Sequence, residues 1–237
     1  MPSSFFVRSL IGGAFEVPFM TRSGIIGGMG PNFDLEREAM AAGHAIVAGV
    51  DEVGRGPLAG PVTAAAVILD PRCIPEGLDD SKKLSAKRRQ ALHDEIARVA
   101  QVSVAHASVE EIDDLNILRA SHLAMERALA GLSLSPAMCL IDGNMIPRNL
   151  KLPARAVIKG DALSVSISAA SIMAKICRDR VMWDLAQHWP GYGWDTNVGY
   201  ASKSHKDAIR NLGVSPHHRR SFKPVHNILY QDNFISD

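Results

Sequence analysis

The sequence predicts a mixed α/β domain with about five strands, helices on both faces of the sheet and a C-terminal helical segment. Apolar, β-branched segments of strand length alternate with longer segments of helical periodicity. The chain has 237 residues, of which 46% are hydrophobic and 22% charged, enough for a substantial core. We therefore expect residues 34–237 to form one domain, preceded by a flexible, Gly- and Ser-rich N-terminal extension over residues 1–33.

Five segments have the composition of strands. Residues 45–53 and 61–69 are joined by a glycine-rich turn and should pair antiparallel. Residues 101–109 alternate between apolar and polar side chains, which is typical of a half-exposed strand. Residues 137–143 and 155–161 follow as two short buried strands.

Four segments favour helices. Ser85 is a candidate N-cap for a helix that runs to about residue 100, and residues 110–132 have the pattern of one long amphipathic helix. Residues 165–189 are apolar nearly all round, which indicates a buried helix, and residues 202–212 form a last short one. We expect residues 190–200 to be loop and the rest of the chain to be a polar tail.

Net charge, cysteine content and hydropathy exclude several classes of protein. The formal net charge is +1, so an anionic partner must be held by local groups rather than by an overall basic field. Cys73, Cys139 and Cys177 are odd in number and lack a Cys-x-x-Cys pair, which argues against a disulfide framework and a zinc site. No run approaches the ~20 apolar residues that span a bilayer. We expect a cytoplasmic monomer with no membrane association.

Acidic residues follow three of the predicted strands. Asp51 and Glu52 end the first strand, Asp142 ends the "CLID" strand, and Asp161 follows "VIKG". Ligands of such sheets gather beyond strand ends, so the four carboxylates should converge at one edge. Any one of them alone would be interpreted as the cap of a turn.

Converged carboxylates repel one another unless they hold cations. Ligation by oxygen alone indicates Mg²⁺ or Mn²⁺, and two such ions about 4 Å apart can clamp the two oxygens of a phosphoryl displacement. Next to the acidic pair, Gly54, Arg55 and Gly56 form a turn in which glycines allow close approach and the arginine offers a fork to phosphate. Alone, this turn is weak support for a phosphate site.

Several basic residues are candidate phosphate contacts: Lys82, Lys83, Lys159, Lys175, Arg178, Arg219 and Arg220. Lys175 lies within an apolar helix and needs a partner, for which the acidic site is the expected neighbour. His217 and His218 lack a carboxylate or Cys at ligand spacing, so we expect a phosphate or surface role.

Ser204, His205 and Asp207 could be taken for a hydrolase triad. Their spacing scatters them around the predicted helix, and the sequence has no Gly-x-Ser-x-Gly elbow. We therefore reject this reading.

An ordered set of motifs spans residues 45–222 and reads "GVDEVGRGPLAGPV", "DSKKLS", "LIDGN", "KGD", "SAASIMAKICRDR", "GYGWDTNVGY" and "HHRRSF". As a set, these motifs resemble those of bacterial ribonuclease HII, the type 2 ribonuclease H. The resemblance implies a ribonuclease H-like fold and endonucleolytic cleavage of RNA in RNA/DNA hybrids. It also implies incision on the 5′ side of single ribonucleotides in duplex DNA, which leaves a 3′-hydroxyl and a 5′-phosphate.

The resemblance also assigns roles to residues. It implies that two Mn²⁺ or Mg²⁺ ions are held by Asp51, Glu52, Asp142 and Asp161, and that the turn of Gly54, Arg55 and Gly56 reads the ribose 2′-hydroxyl with backbone groups. Lys82 and Lys83, which are candidate substrate contacts through their charge, fall in the "DSKKLS" motif. Tyr200 matches the family's tyrosine that packs on the sugar beside the ribonucleotide. The family often has Lys after the Asn of this loop, whereas Val198 follows Asn197 here, which puts one contact in doubt.

Two alternatives remain at this point. Another nuclease of the same superfold, such as a junction resolvase or a type 1 ribonuclease H, would share the metals, although the Asp51-Glu52 pair and the Gly-Arg-Gly turn speak against it. A binding module without catalysis is the other, although all four acids are present. A substrate with one ribonucleotide separates the nucleases, and the Mg²⁺ dependence of cleavage separates the enzyme from the binding module.

Overall fold

A computed structural model describes residues 30–230 of the chain, which form a five-stranded mixed sheet with helices packed on both faces. The strand order is β3-β2-β1-β4-β5. Pairing is antiparallel between β1 and β2 and between β2 and β3, and parallel between β1 and β4 and between β4 and β5. The five strands are β1 (Val47–Val53), β2 (Val62–Ile68), β3 (Gln101–Ala107), β4 (Met138–Asp142) and β5 (Ala154–Val157). The predicted sheet and its antiparallel first pair are confirmed.

Helices connect and cover the strands, and a 3₁₀ turn, Gly160–Ala162, lies between β5 and the 24-residue helix that begins at Val165. The helices of residues 30–230 are α1 (Asp34–Ala41), α2 (Ala86–Val99), α3 (Val109–Leu115), α4 (Ile117–Ala130), α5 (Val165–His188), α6 (Trp194–Asn197), α7 (Lys203–Leu212) and α8 (Lys223–Tyr230). None of these helices is both long and apolar enough to cross a membrane.

The sheet separates two apolar layers. On one face, Val50 and Ile141 pack with Ala124 and Met125 of α4. On the other face, Ala65 packs with residues of α2 and α5. Helix α5 crosses β1 so closely that a Cβ on Gly49 would overlap the backbone of Ser166, which makes glycine necessary there.

A further apolar cluster joins the C-terminal part of the chain to the turn after β1. Trp194 and Ile209 are fully buried in this cluster together with Leu58 and Met182. The C-terminal helices therefore pack beside the Gly-Arg-Gly turn, and the predicted C-terminal helical segment is confirmed.

Several predicted boundaries were wrong. The helix predicted over residues 110–132 is two helices, because Asn116 adopts a φ of 70° and its side chain caps α4 through the N–H groups of Leu118 and Arg119. The predicted loop 190–200 contains α6, and the predicted polar tail contains α8.

At the N-terminus, helix α1 was not anticipated. Most of the predicted flexible extension, residues 1–29, lies outside the described residues. Its last residues belong to the fold, since Asn32 bridges to Ser164 and the Phe33 side chain is buried.

Candidate active site

The acidic residues lie where two parallel strands part. The ladder between β1 and β4 ends with the pairs Gly49 and Leu140, then Val50 and Ile141. Asp51 and Asp142 are the next residues on the two strands, so both carboxylates lie just beyond the last shared rung. On its other side β1 stays paired with β2 through Val53, so the prediction that Asp51 and Glu52 end the strand holds only for the β4 side.

Asp51 and Glu52 leave the strand on opposite faces, as successive strand residues do. Asp51 lies on the α5 side beside the Ser171 hydroxyl and is only 6% exposed. The pKa of Asp51 is raised well above its usual range, first by burial and then by the charges of Glu52 and Asp142, while the hydrogen bond from Ser171 opposes the shift. The Glu52 N–H donates to Oδ1 of Asp51 at 2.7 Å.

Glu52 lies on the α4 side. Its Oε1 accepts a hydrogen bond of 3.2 Å from Nη1 of Arg55, whereas its Oε2 is buried and accepts no hydrogen bond from residues 30–230. Burial raises the pKa of Glu52, Arg55 lowers it and Asp142 raises it further. A buried carboxylate oxygen without a donor is costly, which suits a position that receives a cation.

Asp161 reaches the same edge through the 3₁₀ turn. The Gly160 N–H donates to Oδ1 of Asp142 at 2.7 Å, so the turn is tied to the end of β4. The pKa of Asp161 is raised by burial, then by Asp142 and Asp80, and is lowered by Lys82. The four predicted acids are therefore electrostatic neighbours, and the charge of Asp142 acts on each of the other three.

The donor chemistry of this series fits hard divalent cations. All four groups offer carboxylate oxygens, and the pKa values of three of them are raised first by burial and then by neighbouring carboxylates, both of which a bound cation would offset. Among residues 30–230, no three Asp, Glu, His or Cys side chains are arranged closely enough to form a complete metal-binding cluster. Some of the oxygens are committed to internal donors, as Oδ1 of Asp142 is to Gly160.

The Gly-Arg-Gly turn lies directly after the acidic pair. Gly54 has a φ of 91°, and a Cβ at this position would overlap the Arg178 guanidinium. A Cβ on Gly56 would lie 3.5 Å from Cε1 of Tyr200, whose side chain is 45% exposed. Gly56 and the tyrosine ring thus form adjoining surfaces, and both are exposed to solvent, whereas Gly54 is buried.

A cleft of about 140 Å³ adjoins the acids and is lined in part by residues that were not predicted as site residues. Glu52, Arg55 and Asp142 line it together with His122 and Asn144. The pKa of His122 is lowered by burial and then by the charge of Arg55. Spacing could have indicated His122, because it lies four residues after Leu118 and three before Met125 on the same face of α4.

The "DSKKLS" segment borders the site from the α5 side. Oγ of Ser81 lies 2.9 Å from Oγ of Ser171, which neighbours Asp51. Lys82 is exposed and close enough to Asp161 to lower its pKa, whereas Lys83 forms an ion pair of 3.1 Å with Asp79.

Three predictions about basic residues were wrong. Arg178 and Arg219 are fully buried and donate to main-chain carbonyl groups, so they are not phosphate contacts. Lys175 pairs with Asp179 at 2.8 Å, one turn along α5, and needs no partner in the acidic site. Lys159 and Arg220 are exposed, and the Arg220 N–H is bonded to Asp113.

The expected surface or phosphate role of the histidines was wrong for His218, which is 1% exposed. Its Nε2 lies 3.1 Å from Nε2 of His205, which also accepts from Nε1 of Trp194 at 3.0 Å. Nδ1 of His205 donates to the Tyr200 carbonyl at 2.8 Å. Burial lowers the pKa of both histidines, that of His218 to about 3.

The rejected hydrolase triad is absent from the described residues. His205 bonds to Trp194 and Tyr200, Ser204 bonds to Ser202, and Asp207 pairs with Arg210. Cys73, Cys139 and Cys177 are free thiols.

Val198, where the sequence departs from the resembled pattern, has a φ of 43°, which is unusual for a β-branched residue. Its carbonyl accepts a hydrogen bond of 3.0 Å from Nη1 of Arg178. The replacement of the family's usual lysine by Val198 therefore lies in a loop whose backbone is held by the buried Arg178.

Comparison with known proteins gives one consistent result. Residues 48–225 match the family model described as Ribonuclease HII. The chain is 62% identical over 225 residues to a Ribonuclease HII of Ruegeria pomeroyi, covering 93% of this chain and 96% of that protein. It is 69% identical over 196 residues to a Ribonuclease HII of Roseobacter denitrificans, covering 83% of this chain and 99% of that protein.

A solved structure shares the fold. Ribonuclease H2 of Pyrococcus horikoshii matches with a TM-score of 0.65 at 28% identity, over 77% of this chain and 96% of that one.

Proposed function

The chain belongs to the ribonuclease HII family and is thus a ribonuclease H acting on RNA/DNA hybrids; from this premise we propose that it also incises duplex DNA on the 5′ side of single embedded ribonucleotides. Cleavage leaves a 3′-hydroxyl and a 5′-phosphate. The observation that supports this proposal is the position of the acids. They lie where the pairing of β1 with β4 ends, directly beside the Gly-Arg-Gly turn and Tyr200.

The four acids are the proposed metal ligands. Asp51, Glu52, Asp142 and Asp161 would hold two Mg²⁺ or Mn²⁺ ions, and the unpartnered Oε2 of Glu52 is a free ligand atom. Bound there, the ions would activate water and stabilise the departing oxygen in an in-line displacement at phosphorus. The protein supplies no nucleophile of its own in this scheme.

Recognition of the ribose is assigned to the turn after β1. The turn of Gly54, Arg55 and Gly56 reads the 2′-hydroxyl, which is the group that distinguishes RNA from DNA at one nucleotide. The exposed ring of Tyr200 packs on the neighbouring sugar, where the absence of a 2′-hydroxyl leaves room for a flat aromatic surface. Lys82 and Lys83 contact backbone phosphates near Asp161.

The test is incision of a duplex that contains one ribonucleotide. Wild-type protein should cut it 5′ to the ribonucleotide with Mg²⁺ or Mn²⁺ and should leave the all-DNA duplex intact. Cleavage of long hybrids together with no incision at a single ribonucleotide would restrict the activity to hybrids and refute the finer proposal.

A further inference from the structure

Arg219 is a buried cation whose side chain donates hydrogen bonds only to main-chain carbonyl groups and whose guanidinium lies 5.0 Å from the centre of the Phe222 ring. Its side chain is 0% exposed, and it donates from Nη2 to the Gly54 carbonyl at 2.6 Å, from Nη1 to that of Arg55 at 3.0 Å and from Nε to that of Gly60 at 2.9 Å. It forms no ion pair with a carboxylate of residues 30–230. A buried charge without a counterion is expensive, so its position calls for a specific reason.

The bonds of Arg219 fix the direction of two amide groups. In a trans peptide the C=O and the following N–H point in opposite directions, and residues 30–230 contain no cis peptide. Holding the carbonyls of Gly54 and Arg55 inward on Arg219 therefore turns the N–H groups of Arg55 and Gly56 outward. Neither N–H donates to an acceptor within residues 30–230, and both residues are exposed. Two aligned donors are thus presented to solvent beside the acidic site.

Arg178 provides the contrast within the same molecule. It is equally buried and also donates to three carbonyls, those of Ala59, Pro61 and Val198. The N–H after Ala59 is bonded to the His217 carbonyl at 2.9 Å, and the N–H after Val198 is bonded to Oδ1 of Asn197 at 2.8 Å. These two peptides have no donor left for a ligand, so Arg178 joins backbone segments without presenting donors.

We propose that Arg219 is a positioning residue for ribose recognition: it holds the peptides of the Gly-Arg-Gly turn so that the N–H groups of Arg55 and Gly56 point at the 2′-hydroxyl. A hydroxyl oxygen can accept from both donors. The guanidinium charge polarises the same two peptides and strengthens their N–H groups as donors, because linked hydrogen bonds in a poorly solvated site reinforce one another. This inference rests on the proposed function, in which this turn reads the ribose.

The experiment compares two binding constants in each variant. Fluorescence anisotropy in EDTA, where no cleavage occurs, gives the Kd for a duplex with one ribonucleotide and for the all-DNA duplex of the same sequence. The ratio of the two constants does not depend on the fraction of folded protein, so loss of stability alone leaves it unchanged.

The decisive variant is R219K, with R178K as its matched control. Lysine retains the charge but lacks the planar fork that spans three carbonyls. We expect R219K to lower the preference for the ribonucleotide duplex by about fivefold or more, the effect of two hydrogen bonds, with unchanged affinity for the DNA duplex. R178K should keep the wild-type ratio even where its unfolding midpoint falls. A wild-type ratio in R219K overturns the proposal.

Two further outcomes are distinguishable. A wild-type protein without preference for the ribonucleotide duplex contradicts ribose reading by the turn, and the proposed function then fails before Arg219 is tested. Where R219K does not fold, R219Q takes its place, because glutamine keeps one planar amide donor but cannot span three carbonyls. A wild-type ratio of the two constants in that variant overturns the proposal.

Discussion

The Gly160 N–H donates a hydrogen bond of 2.7 Å to Oδ1 of Asp142. This bond ties the turn that carries Asp161 to the end of β4, and it explains how acids 19 positions apart in the chain come to repel each other. Asp142 is also a cause of the raised pKa values of Asp51 and Glu52. One side chain therefore interacts with the other three acids of the site.

Replacement of Asp142 by asparagine should separate function from stability. D142N retains an oxygen for the Gly160 N–H but removes the shared negative charge, so incision should fall by about 100-fold or more. The free energy of unfolding in EDTA should stay equal or rise by about 1 kcal/mol, because repulsion at the site is relieved. Gel assays and urea unfolding measure the two effects.

D207N is the matched control, since Asp207 is an exposed acid paired with Arg210. It should retain wild-type incision, and its stability should change by less than about 0.5 kcal/mol. Wild-type turnover in D142N would contradict the assignment of the acidic site.

The pH dependence of stability follows from the raised pKa values of Asp51, Glu52 and Asp161. A carboxyl group whose pKa is higher in the folded state binds more protons when folded, so its stabilising contribution is present at low pH. That contribution is lost as the pH rises from about 4 through the raised values. In EDTA, the stability of wild type relative to D142N should therefore fall as the pH rises above about 4. An unchanged difference would show that the acids do not interact.

Divalent cations should reverse this loss. A ligand that binds only the folded state stabilises it by about 2.7 kcal/mol at 100 times its dissociation constant. Mn²⁺ or Mg²⁺ should therefore raise the unfolding midpoint of the wild type, more at pH 7.5 than at pH 5, because protons compete for the same oxygens. The rise should be much smaller in D142N, and differential scanning fluorimetry can measure it. An equal rise in both proteins would place the ion elsewhere.

The sheet and the acidic edge could be predicted from the sequence because each depends on local pattern. Strand length, β-branched composition and an acid after an apolar run are visible in single segments, as in "CLID" before Gly143. The parting of β1 and β4 then brings the acids together. The break at Asn116 was missed because the apolar spacing of residues 110–132 continues across it, while a side-chain cap determines where α4 begins.

The buried hydrogen bonds of Arg178 and Arg219 could not be predicted. Their acceptors are backbone carbonyls, which every residue has, so neither composition nor residue spacing indicates them. An arginine near a predicted phosphate site is reasonably assigned to phosphate. Only the tertiary packing of the C-terminal segment on the turn after β1 shows that these side chains face inward.

Gly54 should be among the least replaceable glycines of the described chain. G54A places a Cβ against the Arg178 guanidinium and forces alanine to a φ of 91°, so we expect a loss of about 2 to 4 kcal/mol in the free energy of unfolding. G43A is the control: Gly43 has a φ of 99°, but a Cβ there meets no atom within 4 Å. It should cost about 1 kcal/mol, the backbone strain alone. Equal losses in urea unfolding would show that the overlap with Arg178 is relieved at no cost.

Tyr200 allows a test of ring contact without disturbing the fold. Its side chain is 45% exposed, and its hydrogen bonds to Asn197, Ser202 and His205 are made by its backbone, so Y200A should change the free energy of unfolding by less than about 0.5 kcal/mol. Loss of an aromatic surface that stacks on substrate costs about 1 to 3 kcal/mol, so kcat/KM for a single-ribonucleotide duplex should fall by about 5- to 150-fold. Y200F keeps the ring beside Gly56 and should retain activity within about threefold, because the proposed contact is made by the ring face. A loss in Y200F as large as that in Y200A would assign the contribution to the hydroxyl and exclude packing of the ring on the sugar as its source.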